Sequence, residues 1–473
     1  MTCRTENPIP CRPHLRPGNV KADLDSLAQV VAAKDAPAIL GGNASVKGVS
    51  IFAAEPVETF AFHLNESRPF EKLRRFLSRY TLTTTDWPKG LFSGGWIGYF
   101  GYELGRFIET LPQRAADDVG LPVIRLAFYD KAILYDHTHH QFAFVAVEMD
   151  DHDSVESKFA VLAEWLNEAA HSPAHPVEPI KPDAYAPSAF QTNMTLAAYF
   201  AALQRIHRHI IDGDVYQINF SQRFSTPFSA RCIDLFRRLN YNNPSPYAAY
   251  LAWGHSAVVS ASPELFLDVR NDRVRTCPIK GTRPRNPALP DSAPPNQAQY
   301  TALLDSEKDR AELAMIVDLE RNDLARVCVP GSRYVSCPRR IEIFPTVYHA
   351  VAEVEGRLAR PPGPDRLEAL LRATFPGGSI TGAPKIRAME IIDDLEPTAR
   401  SVYTGSIGWI GLNFDMCLNI VIRTVIVHNE VAFVQTGGGI VADSDPQSEW
   451  DESLIKAGVL LAGIQNTPTH IQI

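Results

Sequence analysis

The sequence predicts a large α+β protein, and three observations carry that expectation. Several long stretches repeat apolar residues at three- and four-residue intervals, as amphipathic helices do. Between them lie short runs that alternate with period two or are continuously apolar, as strands do. The two kinds interleave without regular βαβ alternation, which disfavours a doubly wound parallel sheet. At 473 residues the chain exceeds one small domain. It suggests two or three, or one large intertwined body.

Taken in order, residues 1–170 mix strand-like and helical stretches. Within them GGWIGYFGYELGRF (94–107) sets glycines among aromatics, a spacing suited to close backbone approach in a sheet. Glu103 and Arg106 exclude a membrane helix there. HSPAHPVEPIKPDAYAP (171–187) holds five prolines and reads as an extended linker over 171–193. A second region then runs over 194–465. Thr195 can cap a helix whose Tyr199, Leu203, Ile206 and Ile210 share a face, with Gly213 ending it. DVYQINFSQRF (214–224) alternates, with Tyr216, Ile218 and Phe220 on one face and Gln217 and Asn219 on the other. Strands also fit 257–269, 406–412, 417–428 and 431–441. PRNPALPDSAPPNQAQ (284–299) reads as a flexible segment and a candidate lid.

Composition narrows the function. A net charge of −8 argues against nucleic-acid binding, which needs a basic face. It also means that an anionic substrate requires a local cation or a metal. The N-terminal stretch has no apolar core for a signal peptide, and its four prolines forbid an amphipathic targeting helix. No apolar run reaches membrane-spanning length. Seven scattered cysteines without a CxxC pair indicate neither zinc nor a disulfide framework. A cytosolic protein with free thiols is expected.

Several positions carry chemistry. In TCPIKGTRPR (276–285), Lys280 stands between an apolar pair and a Gly-Thr turn rather than on a polar helix face. In SDPQSEWDESLIKAGVLLAGI, Asp445 as N-cap and Pro446 at the first position start a helix. Glu449, Glu452 and Lys456 then share one face. They form either a solvated face with a Glu452–Lys456 ion pair or, through two carboxylates one turn apart, a seat for Mg²⁺. In SEKDRAELAMIVDLERND, Asp309 and Glu312 share a face with Ile316 and Leu319, so a carboxylate at the edge of that stripe needs a partner. FPGGSITGAPKIRAMEII (375–392), whose helix sets Ile386, Met389 and Ile392 on one face, and QTGGGIVAD (435–443) are glycine-rich turns tied to helix starts. They lack the Gly-Lys-Ser/Thr ending of a nucleotide loop, but exposed N–H groups there suit a carboxylate. With cations at Lys280, Arg423 and Lys456, the set suits a small polycarboxylate held through Mg²⁺.

The motifs GDVYQINFSQRF, SPELF, PIKGT, DRAELAMIVDLERND, FPGGSITGAPKIRAMEIIDDLEP, YTGSIGWIG and TGGGIVADSDPQSEWDE, in order from Thr195 to Gly463, resemble the chorismate-utilising enzymes. The resemblance implies a large intertwined fold of two packed antiparallel or mixed sheets with helices outside. PIKGT is similar to the branch that aminates chorismate at C4 with ammonia, giving 4-amino-4-deoxychorismate for 4-aminobenzoate and folate. The anthranilate branch, which aminates C2, carries alanine where Lys280 stands. By this resemblance Lys280 attacks C2 as a nucleophile and Glu264 is the general acid for the departing C4 hydroxyl. Glu312, Glu449 and Glu452 hold Mg²⁺, with Asp309 nearby. Gly437, Gly439 and Lys456 meet the ring carboxylate, and Arg423 and Tyr403 the enolpyruvyl carboxylate. Gly281, Thr282, His349 and Ser379 complete the pocket. No cysteine sits on a glutaminase elbow, so nitrogen from glutamine implies a separate amidotransferase subunit in a heterodimer. Tryptophan-binding members carry a Leu-Leu-x-Ser-like stretch near the N-terminus. Here AILGGNAS (38–45) offers Gly41-Gly42, which counts against bound tryptophan. The alternatives are an anthranilate synthase large subunit and a non-catalytic chorismate-binding subunit.

Overall fold

Strand after strand in this chain finds its neighbour far away in sequence. The computed structural model describes residues 8–468, apart from 44–47, 85, 151, 174–175 and 182–183. Two sheets carry the fold. The larger runs from Gln191–Thr192 through Gln217–Pro227, Val431–Ile440, Thr424–His428, Ser256–Ser262 and Tyr247–Trp253 to Ala38–Leu40. It continues through Val49–Ala53, Lys131–Asp136, Gln141–Met149 and Ile9–Gly18 to Tyr80–Leu82. The smaller runs from Ile279–Pro284 through Val347–Arg357, Arg273–Cys277, Leu265–Arg270 and Met416–Asn419. Ser406–Gly411, Gly95–Phe100, Ile124–Tyr129 and Glu58–Phe62 complete its path.

Both sheets cross the proline-rich linker. Ala38–Leu40 pairs with Tyr247–Trp253, and Gly95–Phe100 pairs with Ser406–Gly411, both antiparallel. Gly95 of GGWIGYF serves this second junction: a Cβ there would overlap the carbonyl of Ile410 on the neighbouring strand. Apolar side chains of both sheets, among them Ile51, Leu134, Val258, Ile97, Ile407 and Trp409, pack into one layer between them. The outer face of the larger sheet is covered by helices Leu24–Ala32, Val155–His171, Cys232–Asn242 and Pro446–Gln465. Pro69–Leu77, Glu307–Ala325 and Pro364–Thr374 cover the smaller one. The expected α+β fold, two sheets packed together with helices outside, is what the chain forms.

The caps form as the sequence indicates. Thr195 accepts from the Ala198 amide to start Leu196–Ile211, and Asp445 accepts from the Ser448 amide to start Pro446–Gln465. Three expectations change. The strand at 217–227 is buried on both sides over residues 217–224, whereas Tyr216 lies outside it and is exposed. One face packs on Tyr199 and Ile206, and the other faces the site described below. Ile386 is exposed although Met389 and Ile392 of its helix are buried. Finally, 284–299 is not a free loop: a helix begins at Pro294. The buried Asn296 amide donates to the carbonyls of Asn286, Leu289 and Pro290. Three backbone acceptors on one side chain pin the segment.

Candidate active site

Lys280 owes its direction to a β-bulge. Ile279 stands opposite Val351 and Thr282 opposite His349, so three steps on one strand meet two on the other. The extra residue is accommodated at Lys280–Gly281, and a bulge of this kind re-aims a side chain. Gly281 takes φ +89°, a conformation glycine adopts without strain. A Cβ there would also stand 2.8 Å from Asp309 Cγ and 2.9 Å from Leu303 Cδ1. Lys280 keeps some exposure, but its Nζ turns inward and donates to the Ser379 carbonyl at 3.1 Å. Burial pushes its pKa down, against the pull of Glu312 and Glu264.

Two changes of sheet place the next pair. Ser256–Ser262 belongs to the larger sheet and Leu265–Arg270 to the smaller, with Glu264 on the step between. Met416–Asn419 and Thr424–His428 make the return journey, with Arg423 on the step at φ +51°. The single strands expected at 257–269 and 417–428 therefore each break in two, and a site residue sits at each break. The steps bond to each other and to their neighbours: Ile420 N–H donates to Glu264 O, and Ala261 N–H to Arg423 O, both at 3.0 Å. Glu264 is only 4% exposed. Burial raises its pKa, and the Lys280 and Arg423 charges partly offset this. Burial brings the Arg423 guanidinium down to about 10. His349 bridges Arg423 to the bulge, with Nε2 3.4 Å from Arg423 Nη2 and Nδ1 2.8 Å from Thr282 Oγ1. A guanidinium only donates, so Nε2 accepts and Nδ1 carries the proton. Burial, and then the Arg423 charge, hold this imidazole neutral.

The glycines at 437–439 do not form the turn expected of them. They lie in the regular strand Val431–Ile440, opposite Ser221, Phe220 and Asn219, and none has a left-handed φ. Their value is the missing side chain. A Cβ on Gly439 would overlap Gln217 Nε2 and stand 3.5 Å from Lys280 Nζ. One on Gly438 would stand 3.2 Å from Glu449 Oε2 and 3.7 Å from Lys456 Nζ. Lys456 Nζ donates to the Gly437 carbonyl at 3.0 Å and pairs with Glu452 at 2.7 Å. Ser379 lies in the turn Gly378–Ile380. Its hydroxyl is close enough to draw the Glu264 carboxyl down, yet among the described residues it makes no well-formed hydrogen bond. Tyr403 is buried, which raises its phenol pKa.

The acids need separate treatment. Burial raises the pKa of Glu312 and of Glu449, whose Oε1 accepts from Ser444 Oγ at 2.7 Å. The Lys456 charge lowers that of the half-exposed Glu452. Asp309 is engaged by Arg283 at 2.8 Å. Carboxylate oxygens are the donors Mg²⁺ takes, so the donor type fits. Among the described residues, however, no three His, Cys, Asp or Glu side chains stand close enough together to hold an ion. The ammonium of Lys308 acts on Glu312, Glu449 and Glu452 alike, a neighbour the sequence did not single out. Two further residues were missed. Gln217 is 1% exposed beside Gly439, and among the described residues its Oε1 has no partner and Asn219 Oδ1 is likewise unpaired. Period-two alternation had assigned both to a polar face, the one available signal. A cavity of about 960 Å³ beside Gly41, Pro246 and Tyr247 reaches Ile279 but includes none of the expected site residues. Gly41 and Gly42 both have φ +82°; Ala44 and Ser45 of the same stretch lie outside the described residues.

Comparison with known proteins places this arrangement. A family model described as chorismate binding enzyme matches residues 33–462. Aminodeoxychorismate synthase component 1 of Escherichia coli K12 is 40% identical over 399 residues, covering 84% of this chain and 83% of that protein. Anthranilate synthase component 1 of Streptomyces coelicolor is 39% identical over 404 residues, covering 84% and 77%. The crystal structure of anthranilate synthase component I from Streptococcus pneumoniae superposes with a TM-score of 0.74 at 31% identity, covering 87% of this chain and 92% of that one.

Proposed function

The chain belongs to the chorismate binding enzyme family, and from that membership we propose that it is an aminodeoxychorismate synthase component I, aminating chorismate at C4 with ammonia. Relatives named aminodeoxychorismate synthase and relatives named anthranilate synthase are about equally similar in sequence, so overall identity does not choose between them. The observation that carries the choice is Lys280, an amine aimed inward by a bulge and deprived of solvent. Burial disfavours its charged form, so the neutral nucleophile is accessible nearer neutrality than for a free lysine. Glu264 is shifted the other way and keeps its proton to higher pH. One environment thus shifts the amine toward its base form and the carboxyl toward its acid form together.

In this reading Glu264 gives its proton to the departing C4 hydroxyl while Lys280 forms a bond to C2. Ammonia then enters at C4, the C2–lysine bond breaks, and Glu264 recovers a proton from the incoming nitrogen. Arg423, oriented by His349, and Tyr403 bind the enolpyruvyl carboxylate; Lys456 and the Gly437 and Gly439 backbone bind the ring carboxylate. Glu312, Glu449 and Glu452 have the oxygen donors Mg²⁺ takes but are not grouped closely enough to hold it as they stand; they would have to converge to hold the ion, whose charge would then offset that of the ring carboxylate. None of the seven cysteines is set for glutaminase chemistry, and relatives carry the label component 1. A separate amidotransferase subunit therefore provides ammonia.

The test is product identification with chorismate and Mg²⁺. With ammonium, 4-amino-4-deoxychorismate is expected; with glutamine alone, nothing. Lys280→Ala should abolish turnover while calorimetric chorismate binding persists. Directly fluorescent anthranilate, or wild-type turnover by Lys280→Ala, would sink the reading.

A further inference from the structure

Beneath the site lies an ion pair that touches no reacting atom in the mechanism above. Glu396, just after helix Lys385–Leu395, and Arg400 are each 1% exposed and paired at 2.7 Å. The guanidinium also reaches three other segments. Nη1 donates to the Ile380 carbonyl at 2.9 Å, Nη2 to the Asn219 carbonyl at 2.7 Å, and Nη1 approaches Thr404 Oγ1 at 3.4 Å. Glu396 Oε1 accepts from the Ser221 amide at 2.9 Å and from its hydroxyl at 2.7 Å.

Those segments are the ones that carry the site. Ile380 follows Ser379, whose carbonyl is the acceptor for Lys280 Nζ. Asn219 and Ser221 lie opposite Gly439 and Gly437, and Thr404 follows Tyr403. The N-terminal region closes the pair from behind. Glu103 Oε1 accepts from the Arg400 amide at 2.9 Å, and the Tyr102 ring lies 4.7 Å from the guanidinium carbon.

We propose that Arg400, clamped by Glu396, is a positioning residue that fixes the Ser379 carbonyl, and through it the amine of Lys280, against the glycine strand. Replacing a buried ion pair with apolar groups often costs little, so stability alone does not account for this one. The planar guanidinium of Arg400 makes five contacts, two to Glu396 and one each to Ile380, Asn219 and Thr404; an ammonium has only three donors and cannot keep them all. The proposal rests on the reading of Lys280 as the reacting amine.

The experiment compares Arg400→Lys, Ser221→Ala and Arg366→Lys with the wild type, reading kcat and KM on chorismate consumption per folded molecule. Arg366 is the structural control. It is a buried guanidinium bonded to the Asn271 and Phe414 carbonyls, away from the site segments. A misplacement of about 1 Å at a reacting group costs about 100-fold. Arg400→Lys should therefore lose about 100-fold in kcat, with KM and calorimetric chorismate affinity within about threefold, because the carboxylate-binding groups stay in place. Ser221→Ala, which removes one donor to Glu396 and the acceptor of Gln435 Nε2 but leaves Arg400 in place, should show a smaller loss in the same direction. Arg366→Lys should lose stability only. The proposal is overturned if Arg400→Lys and Ser221→Ala keep wild-type kcat, or if KM rises instead of kcat falling. Lys280→Ala, run in parallel, separates the two readings. If Lys280→Ala keeps wild-type kcat, the nucleophile assignment fails and the positioning role falls with it; if Lys280→Ala loses kcat while Arg400→Lys and Ser221→Ala keep it, the nucleophile assignment stands and only the positioning role fails.

Discussion

Glu320 lies in the VDLERND stretch and takes no part in the chemistry proposed above, yet it is 7% exposed and forms no ion pair among the described residues, the nearby Lys385 being paired with Asp323. Thr276 Oγ1 donates to its Oε2 at 2.9 Å, and burial, with the acids Glu264 and Asp323 nearby, pushes its pKa up to about 8. The sign for stability follows from linkage. Between the ordinary value of 4.5 and about 8, the unfolded chain releases a proton that the native state keeps. Native stability therefore falls as pH rises through that window, by about 1.4 kcal/mol per pH unit from this group. Glu320→Gln keeps the shape and an acceptor for Thr276 but does not titrate. Urea midpoints at pH 5 and pH 8 should show the variant gaining on the wild type at the higher pH. Parallel losses in both proteins would show that Glu320 is not the source. The sequence placed this glutamate in a recognisable motif; its protonation depends on neighbours from other elements, which no local pattern records.

The bulge in strand Ile279–Pro284 is the element on which the site turns. Without it, residues after Ile279 would pair in regular register with Val347–Arg357, and Lys280 would follow the alternation of the strand rather than the pocket. Gly281→Ala tests this. The variant puts a side chain at φ +89°, against Asp309 and Leu303, and strain of this kind costs about 1–3 kcal/mol. Relief requires the bulge to shift, so turnover should fall by about 100-fold while chorismate binding through Arg423 and Lys456 survives. Measuring the urea midpoint and kcat together checks both parts. Wild-type kcat in a destabilised Gly281→Ala would show that the bulge does not aim the lysine. PIKGT was legible as a turn after an extended pair. The bulge was not, because it is a mismatch with a partner strand that the local sequence does not name.

At the scale of the molecule, the two sheets run across the linker, so neither side of it completes its own edges. Residues 194–468 alone would leave Tyr247–Trp253 and Ser406–Gly411 without Ala38–Leu40 and Gly95–Phe100. Open edges of buried strands invite aggregation. The fragments 1–170 and 194–468, expressed separately, should be insoluble or unfolded by circular dichroism, and co-expression should restore soluble, active protein. A soluble 194–468 fragment with wild-type turnover would show that the catalytic region stands alone. Glu103 and Tyr102 give the same dependence a local form, since they hold Arg400 from the N-terminal side.

Periodicity, caps and motif order determined the α+β class, the helix starts at Thr195 and Asp445, and the family. Each of these is set by residues close together in the chain or by the identity of a run. Tertiary structure alone decided where strands end and where side chains point. The apolar run at 257–269 gives no sign that it changes sheets at Glu264, because both halves bury equally well. Gln217 and Asn219 looked like a solvated face, since a pattern of polar residues is the same whether it meets water or a pocket. The pKa shifts of Lys280 and Glu264 come from burial among groups far away in sequence, and the desolvation that makes them useful exists only once those groups have come together.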